Sequence, residues 1–93
     1  MEWKLFADLA ELAGDRHVSV DVDPDAGATV GDALDALLAA HPPLADRVLD
    51  GEGDLRDHIN VLRNGENVFT DEGLETVLDT GDELALFPPV SGG

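Results

Sequence analysis

One stripe limits what this chain can fold into. Val30, Ala33, Leu34, Leu37 and Leu38 recur at the three-and-four spacing of a helix with a single apolar face, and His41 closes the stripe. Thr29 stands at the cap position, and Asp32, three residues on, completes a box-like acidic first turn. Asp32 and Asp35 lie towards the other face. Pro42-Pro43 ends the helix just after His41, because a residue before proline is pushed out of the helical region. Such a helix draws most of its stability from packing its apolar face, and the partners the chain offers are strands. Trp3 and Leu5 alternate with Glu2 and Lys4 across Met1–Phe6. Val18, Val20 and Val22 alternate with His17, Ser19 and Asp21, His58–Arg63 reads as a third strand, and Leu84 and Leu86 alternate with Glu83 and Ala85. Strand, strand, helix and then strands make an α+β layer in which one main helix covers one face of a sheet.

The connections fit that layer. Ala7–Ala13 reads as a short amphipathic helix with Leu9 and Leu12 on its apolar side, and Gly14 suits the left-handed position just past its end. Leu44–Leu49 is a candidate second short helix, and Asp50–Asp54 an exposed acidic loop. Asn64-Gly65 is the strongest hairpin signal in the chain, with Glu66–Phe69 as a weak return strand. Leu74 and Leu78 anchor a turn-rich stretch, and Thr80-Gly81-Asp82 is the turn before the closing strand.

Charge narrows the function. Twenty-one Asp and Glu against five Lys and Arg give a formal net charge of −16, which excludes a nucleic-acid surface because phosphate binding needs clustered positive charge. The apolar periodicity separates the chain from disordered acidic segments and points to a folded domain adapted to high salt, where ions screen the self-repulsion. With no cysteine, the chain carries no disulfide, thiolate ligand or thioester of its own. Met1 is followed by Glu2 and a strand, so no signal peptide is expected. No run approaches the ~18 apolar residues of a membrane span. A soluble, monomeric, cytoplasmic protein with neither membrane nor nucleic-acid partners is expected.

The closing strand ends abruptly. Pro88 and Pro89 have no N–H for a ladder and hold the chain extended, so they act as a stiff spacer for Val90, Ser91, Gly92 and Gly93. Without a Cβ, Gly92 and Gly93 leave room for another protein's backbone to close around them. The division expected is a domain over residues 1–87 and an extended, flexible tail over 88–93, threaded into a partner's active site.

The run Leu86-Phe87-Pro88-Pro89-Val90-Ser91-Gly92-Gly93 resembles the ending of the ubiquitin-like small archaeal modifier proteins and of the MoaD-type small subunit of molybdopterin synthase, within the wider family of ubiquitin-like sulfur carriers. The resemblance extends to Lys4–Gly14, to the helix signal at Thr29–Leu37 and to Ile59–Arg63, with Asp50–Asp57 the least typical part. It implies a β-grasp fold, with the first and last strands adjacent and parallel at the centre. It also implies that the chain is a substrate and carrier, not an enzyme. The resemblance further implies that an E1-like enzyme uses ATP to make an acyl-adenylate at Gly93, with no cofactor bound by the chain itself. The activated end then forms an isopeptide bond to a target lysine, or becomes a thiocarboxylate that donates sulfur for molybdenum cofactor biosynthesis, with the large subunit of molybdopterin synthase as a further partner. A dedicated MoaD-type subunit that never modifies proteins, and a plain β-grasp binding module, are the alternatives. Aspartate-rich, lysine-poor composition likewise resembles proteins of salt-loving archaea.

Other sites weigh less. Asp21, Asp23, Asp25 and Asp32 suggest a calcium loop, but Ala26 replaces the required glycine, Pro24 stiffens the loop and a strand precedes it. His17, His41 and His58 share no ligand spacing for zinc, so no metal site is expected. Gly51 and Gly53 neither follow a strand nor open a helix, and Ser91 has no His or Asp partner for nucleophilic catalysis. Phe87 either caps the core edge or, with Pro88 and Pro89, anchors a partner on the open sheet face. Lys4, the one lysine in the chain, is the side-chain acceptor available for self-conjugation, or an ordinary surface charge.

Overall fold

The structure, a computed structural model, describes residues 1–56, 59–70 and 72–88. In chain order the elements are β1 (Glu2–Leu5), α1 (Asp8–Ala13), β2 (His17–Ser19), α2 (Val30–Ala40), α3 (Pro42–Val48), β3 (Asn60–Arg63), β4 (Glu66–Asn67) and β5 (Glu83–Phe87). The sheet order is β2-β1-β5-β3-β4. The two central strands, β1 and β5, run parallel, with Trp3 beside Leu84 and Leu5 beside Leu86, while β2 and β3 flank them antiparallel. This is the ubiquitin-like β-grasp, a mixed sheet with its helices packed on one face.

The predicted stripe becomes the core. Val30, Ala33, Leu34, Leu37 and Leu38 are all buried, and the capping box is complete. The Asp32 N–H donates to Thr29 Oγ1 at 3.2 Å, and the Thr29 N–H donates to the Asp32 carboxylate at 3.0 Å. Trp3, fully buried on β1, donates its indole N–H to the Ala33 carbonyl at 3.1 Å. The indole therefore contributes its large apolar area without an orphaned donor and ties the central strand to the main helix. Asn64 and Gly65 both adopt positive φ (52° and 83°), as a two-residue hairpin turn requires, and join Arg63 to Glu66.

Four expectations need correction. The helix placed at Leu44–Leu49 spans Pro42–Val48, because proline is tolerated in the first turn, where its missing N–H has no helical partner anyway. The same Pro42-Pro43 pair thus ends α2 and opens α3. Leu12 is 42% exposed instead of packing beside Leu9. The inner face of α1 is Leu9 with Ala10 and Ala13, and these small residues meet the core where a second leucine was expected. β2 stops at Ser19, although Val20 remains buried and its N–H bonds to the Met1 carbonyl at 2.8 Å. β4 is only Glu66–Asn67, since Val68–Thr70 turns into a 3-10 helix with Asn67 Oδ1 accepting the Phe69 N–H.

The β1–α1 junction is strained. Ala7 has φ 55° and ψ −133°, a region glycine enters freely and alanine does not, and the Phe6 carbonyl accepts the Leu9 N–H across the turn at 3.2 Å. Such strain costs about 1–3 kcal/mol. Replacing Ala7 with glycine removes it, at an offset of roughly 0.5–1 kcal/mol for the freer unfolded chain. Ala7→Gly is therefore expected to raise the thermal midpoint by about 5 °C. A lowered midpoint in calorimetry would count against the strained turn.

Candidate functional site: the base of the C-terminal tail

β5 aims the tail. Leu84 and Leu86 are fully buried under the helices, so alternation turns Glu83, Ala85 and Phe87 to the open face of the sheet. Phe87 is half-buried and stacks on Phe6, with ring centroids 4.1 Å apart and planes within 6°. Phe87 thus lies on the open face and not at the core edge, and it does so as one half of a pair. The parallel register explains it: Leu5 lies beside Leu86, so the next residues, Phe6 and Phe87, come together. Both rings sit where β5 ends, and the half-buried Pro88 follows directly.

Rows of side chains cross this face. Glu2 and Glu83 lie side by side at the start of the central strands. Next come His17, Lys4, Ala85 and Leu62 in register, and Phe87 pairs with Asn60 in the row nearest the tail. In a chain carrying 21 acidic residues, the two rows nearest the tail base contain no carboxylate. Lys4 projects here with its side chain 41% exposed, its ammonium 3.5 Å from Glu83, so the amine remains reachable.

The other end of β5 is stapled. The Asp82 carboxylate, 7% exposed, accepts from Arg63 Nε at 2.6 Å, Asn64 Nδ2 at 2.8 Å and the Asp79 N–H at 2.7 Å. Burial alone would push this carboxyl up, but the Asp79 N–H, Arg63 and Asn64 together outweigh it and hold it below the ordinary aspartate value. Asn64 Oδ1 in turn accepts the Glu83 N–H at 2.9 Å, so the hairpin tip grips the first residue of β5.

The competing sites find other employment. Asp23 accepts the Asp25 N–H at 3.0 Å and caps the 3-10 turn Pro24–Ala26, while Asp32 is committed to the capping box. Asp21 is exposed, His17 lies 3.6 Å from Glu2, and His41 joins α2 to α3. In the acidic loop, Asp50 Oδ1 accepts the Glu52 and Asp54 N–H groups. Pro89, Val90, Ser91, Gly92 and Gly93 lie outside the described residues, as does His58.

A family model for ThiS matches residues 3–93. The chain belongs to the ThiS family. Over its full length it is 67% identical to small archaeal modifier protein 1 of Haloferax volcanii, covering 100% of both chains. A crystal structure of that protein superposes with a TM-score of 0.88 at 66% identity, over 100% of this chain and 98% of the other. Sulfur carrier protein CysO of Mycobacterium tuberculosis is 31% identical over 86% of this chain and 83% of its own. A crystal structure of the Amycolatopsis orientalis BexX/CysO complex matches with a TM-score of 0.79 at 30% identity, over 99% of this chain and 98% of that one. By name, the first relative is a protein modifier and CysO a sulfur carrier. The tail motif was legible in the sequence. Phe6 as the partner of Phe87 was not, although an assumed parallel β1–β5 register would have found it.

Proposed function

We propose that the chain is a ubiquitin-like protein modifier and sulfur carrier that acts through its C-terminal glycine. The observation that carries this reading is the full-length 67% identity to a small archaeal modifier protein. The placement of β5 supports it, because a central strand gives the tail a rigid base. A free carboxylate is a poor electrophile, so the Gly93 carboxylate first attacks the α-phosphorus of ATP on an E1-like enzyme. Pyrophosphate leaves, and a mixed anhydride with AMP remains. A sulfur nucleophile then attacks the carbonyl carbon and AMP departs with the bonding pair. The product is a thiocarboxylate for sulfur donation or an enzyme thioester, which a target lysine's amine converts to an isopeptide bond. Val90, Ser91 and Gly92 lie in the enzyme's channel, and Phe6, Phe87, Pro88 and Pro89 meet its surface. This chain supplies no catalytic side chain.

Incubation with the cognate activating enzyme, ATP and a sulfur source is expected to give an intact-mass shift of one oxygen-to-sulfur exchange. Lysates are expected to show target lysines bearing a tail-derived branch. Arg63 is the last basic residue, so trypsin leaves residues 64–93 as that branch, and a search must be set for it. A thiocarboxylate without any branched lysine selects the dedicated sulfur-carrier reading, and neither product rejects both.

A further inference from the structure

Four of the five lysine and arginine side chains are engaged. Lys4 faces Glu83, Arg47 holds Asp8 at 2.6 Å, Arg63 holds Asp79 and Asp82, and Arg56 donates to the Asp46 carbonyl at 3.3 Å. Arg16 is exposed, and its guanidinium has no partner among the described residues. With 21 carboxylates against five such cations, an arginine left unpaired is conspicuous. It lines a cavity of about 270 Å³ with Lys4 and His17, and Leu5 and Phe6 complete the lining. The backbone fixes this corner: Lys4 is paired with His17 across β1 and β2, and the Leu5 N–H donates to the Arg16 carbonyl at 2.7 Å. The carboxylates at its margin are already used, Glu83 by Lys4, Glu2 by His17 at 3.6 Å, and Asp15 by the His17 N–H at 3.2 Å.

We propose that this corner is a docking site for an acidic peptide segment of the protein that receives the tail. Arg16 holds a carboxylate of the segment in a forked pair, Lys4 and His17 flank it, and an apolar residue beside that carboxylate packs on the exposed Phe6 ring. Two features favour a peptide over a small anion. The exposed Phe6 ring gives the corner an apolar wall, which an inorganic anion leaves unused. Phe6 is also one half of the stack at the tail base, so a protein that grips the tail already lies beside the corner. On a surface of net charge −16, which repels acidic partners, the corner supplies local attraction and a register for docking. Which protein supplies the segment rests on the carrier reading; the binding itself does not.

The test titrates the full-length, ¹⁵N-labelled chain with the capped synthetic peptide Asp-Glu-Phe-Asp-Glu. Saturable amide shifts are expected at Lys4, Phe6, Arg16 and His17, weakening as salt is raised, and the matched peptide Asn-Gln-Phe-Asn-Gln is expected to produce none. Arg16→Glu is expected to weaken binding by about tenfold or more, and Arg16→Gln by less, with melting curves unchanged because the side chain is exposed. Absent or scattered shifts, undiminished binding in Arg16→Glu, or inorganic phosphate binding the corner as tightly as the peptide each overturn the proposal. Adenylation of the wild-type chain is read in a separate assay, so failure of the carrier reading and failure of this site register independently.

Discussion

Gly92→Val is expected to lower adenylation by the cognate activating enzyme by about tenfold or more, a loss of roughly 1.4 kcal/mol of transition-state binding. The substitution leaves the terminal Gly93 carboxylate in place and adds a branched side chain to its neighbour. A β-branched residue restricts the backbone and collides with a channel that fits glycine. Deleting Gly92 and Gly93 together is expected to abolish sulfur loading and conjugation, but that loss does not separate fit from chemistry, because the electrophile goes with the glycines. In both variants the melting curve should match wild type, since Leu86 is the last buried core residue among those described. Normal adenylation of Gly92→Val would reject the threaded tail even if Gly93 were the reacting residue.

Local signals in this sequence were legible where one period or one turn decides the outcome. The α2 stripe, its Thr29–Asp32 box and the Asn64-Gly65 turn appear as read, because each depends on residues within a few positions of one another. The central placement of β1 and β5 was not legible from pattern. It came from the resemblance, since alternation says which face a residue takes and not which strand lies beside it. The misplaced start of α3 had a physical source: the same Pro42-Pro43 pair is a stop for the preceding helix and a permitted first turn for the next. At the site, the tail residues announce themselves by composition. The features that prepare its base are long-range, and only the assembled sheet shows them: Phe6 meets Phe87 across 81 positions, and Arg63 meets Asp82 across 19.

The largest expected stability effect lies at that second contact. Asp82→Ala removes a nearly buried carboxylate that accepts hydrogen bonds from Arg63, Asn64 and the Asp79 N–H. Arg63, itself only 27% exposed, loses its closest described carboxylate and keeps Asp79 at 3.1 Å. Hydrogen bonds to charged groups contribute about 1.5–3 kcal/mol each and are not additive, so a net cost of roughly 3 kcal/mol follows. In a domain of this size that lowers the thermal midpoint by roughly 10–20 °C. Asp79→Ala provides the control: its carboxylate is 80% exposed and its N–H survives the change, so less than about 1 kcal/mol is expected. The pH dependence carries a definite sign. The folded-state carboxyl of Asp82 titrates below its unfolded value, so its contribution is fully present above about pH 4 and is lost as pH falls through the folded value. The wild-type and Asp82→Ala midpoints should therefore be well separated near neutrality and converge on acidification. A constant separation down to the acid limit would show that the ionised carboxylate is not what holds the hairpin to the first residue of β5, and with it the base of the tail.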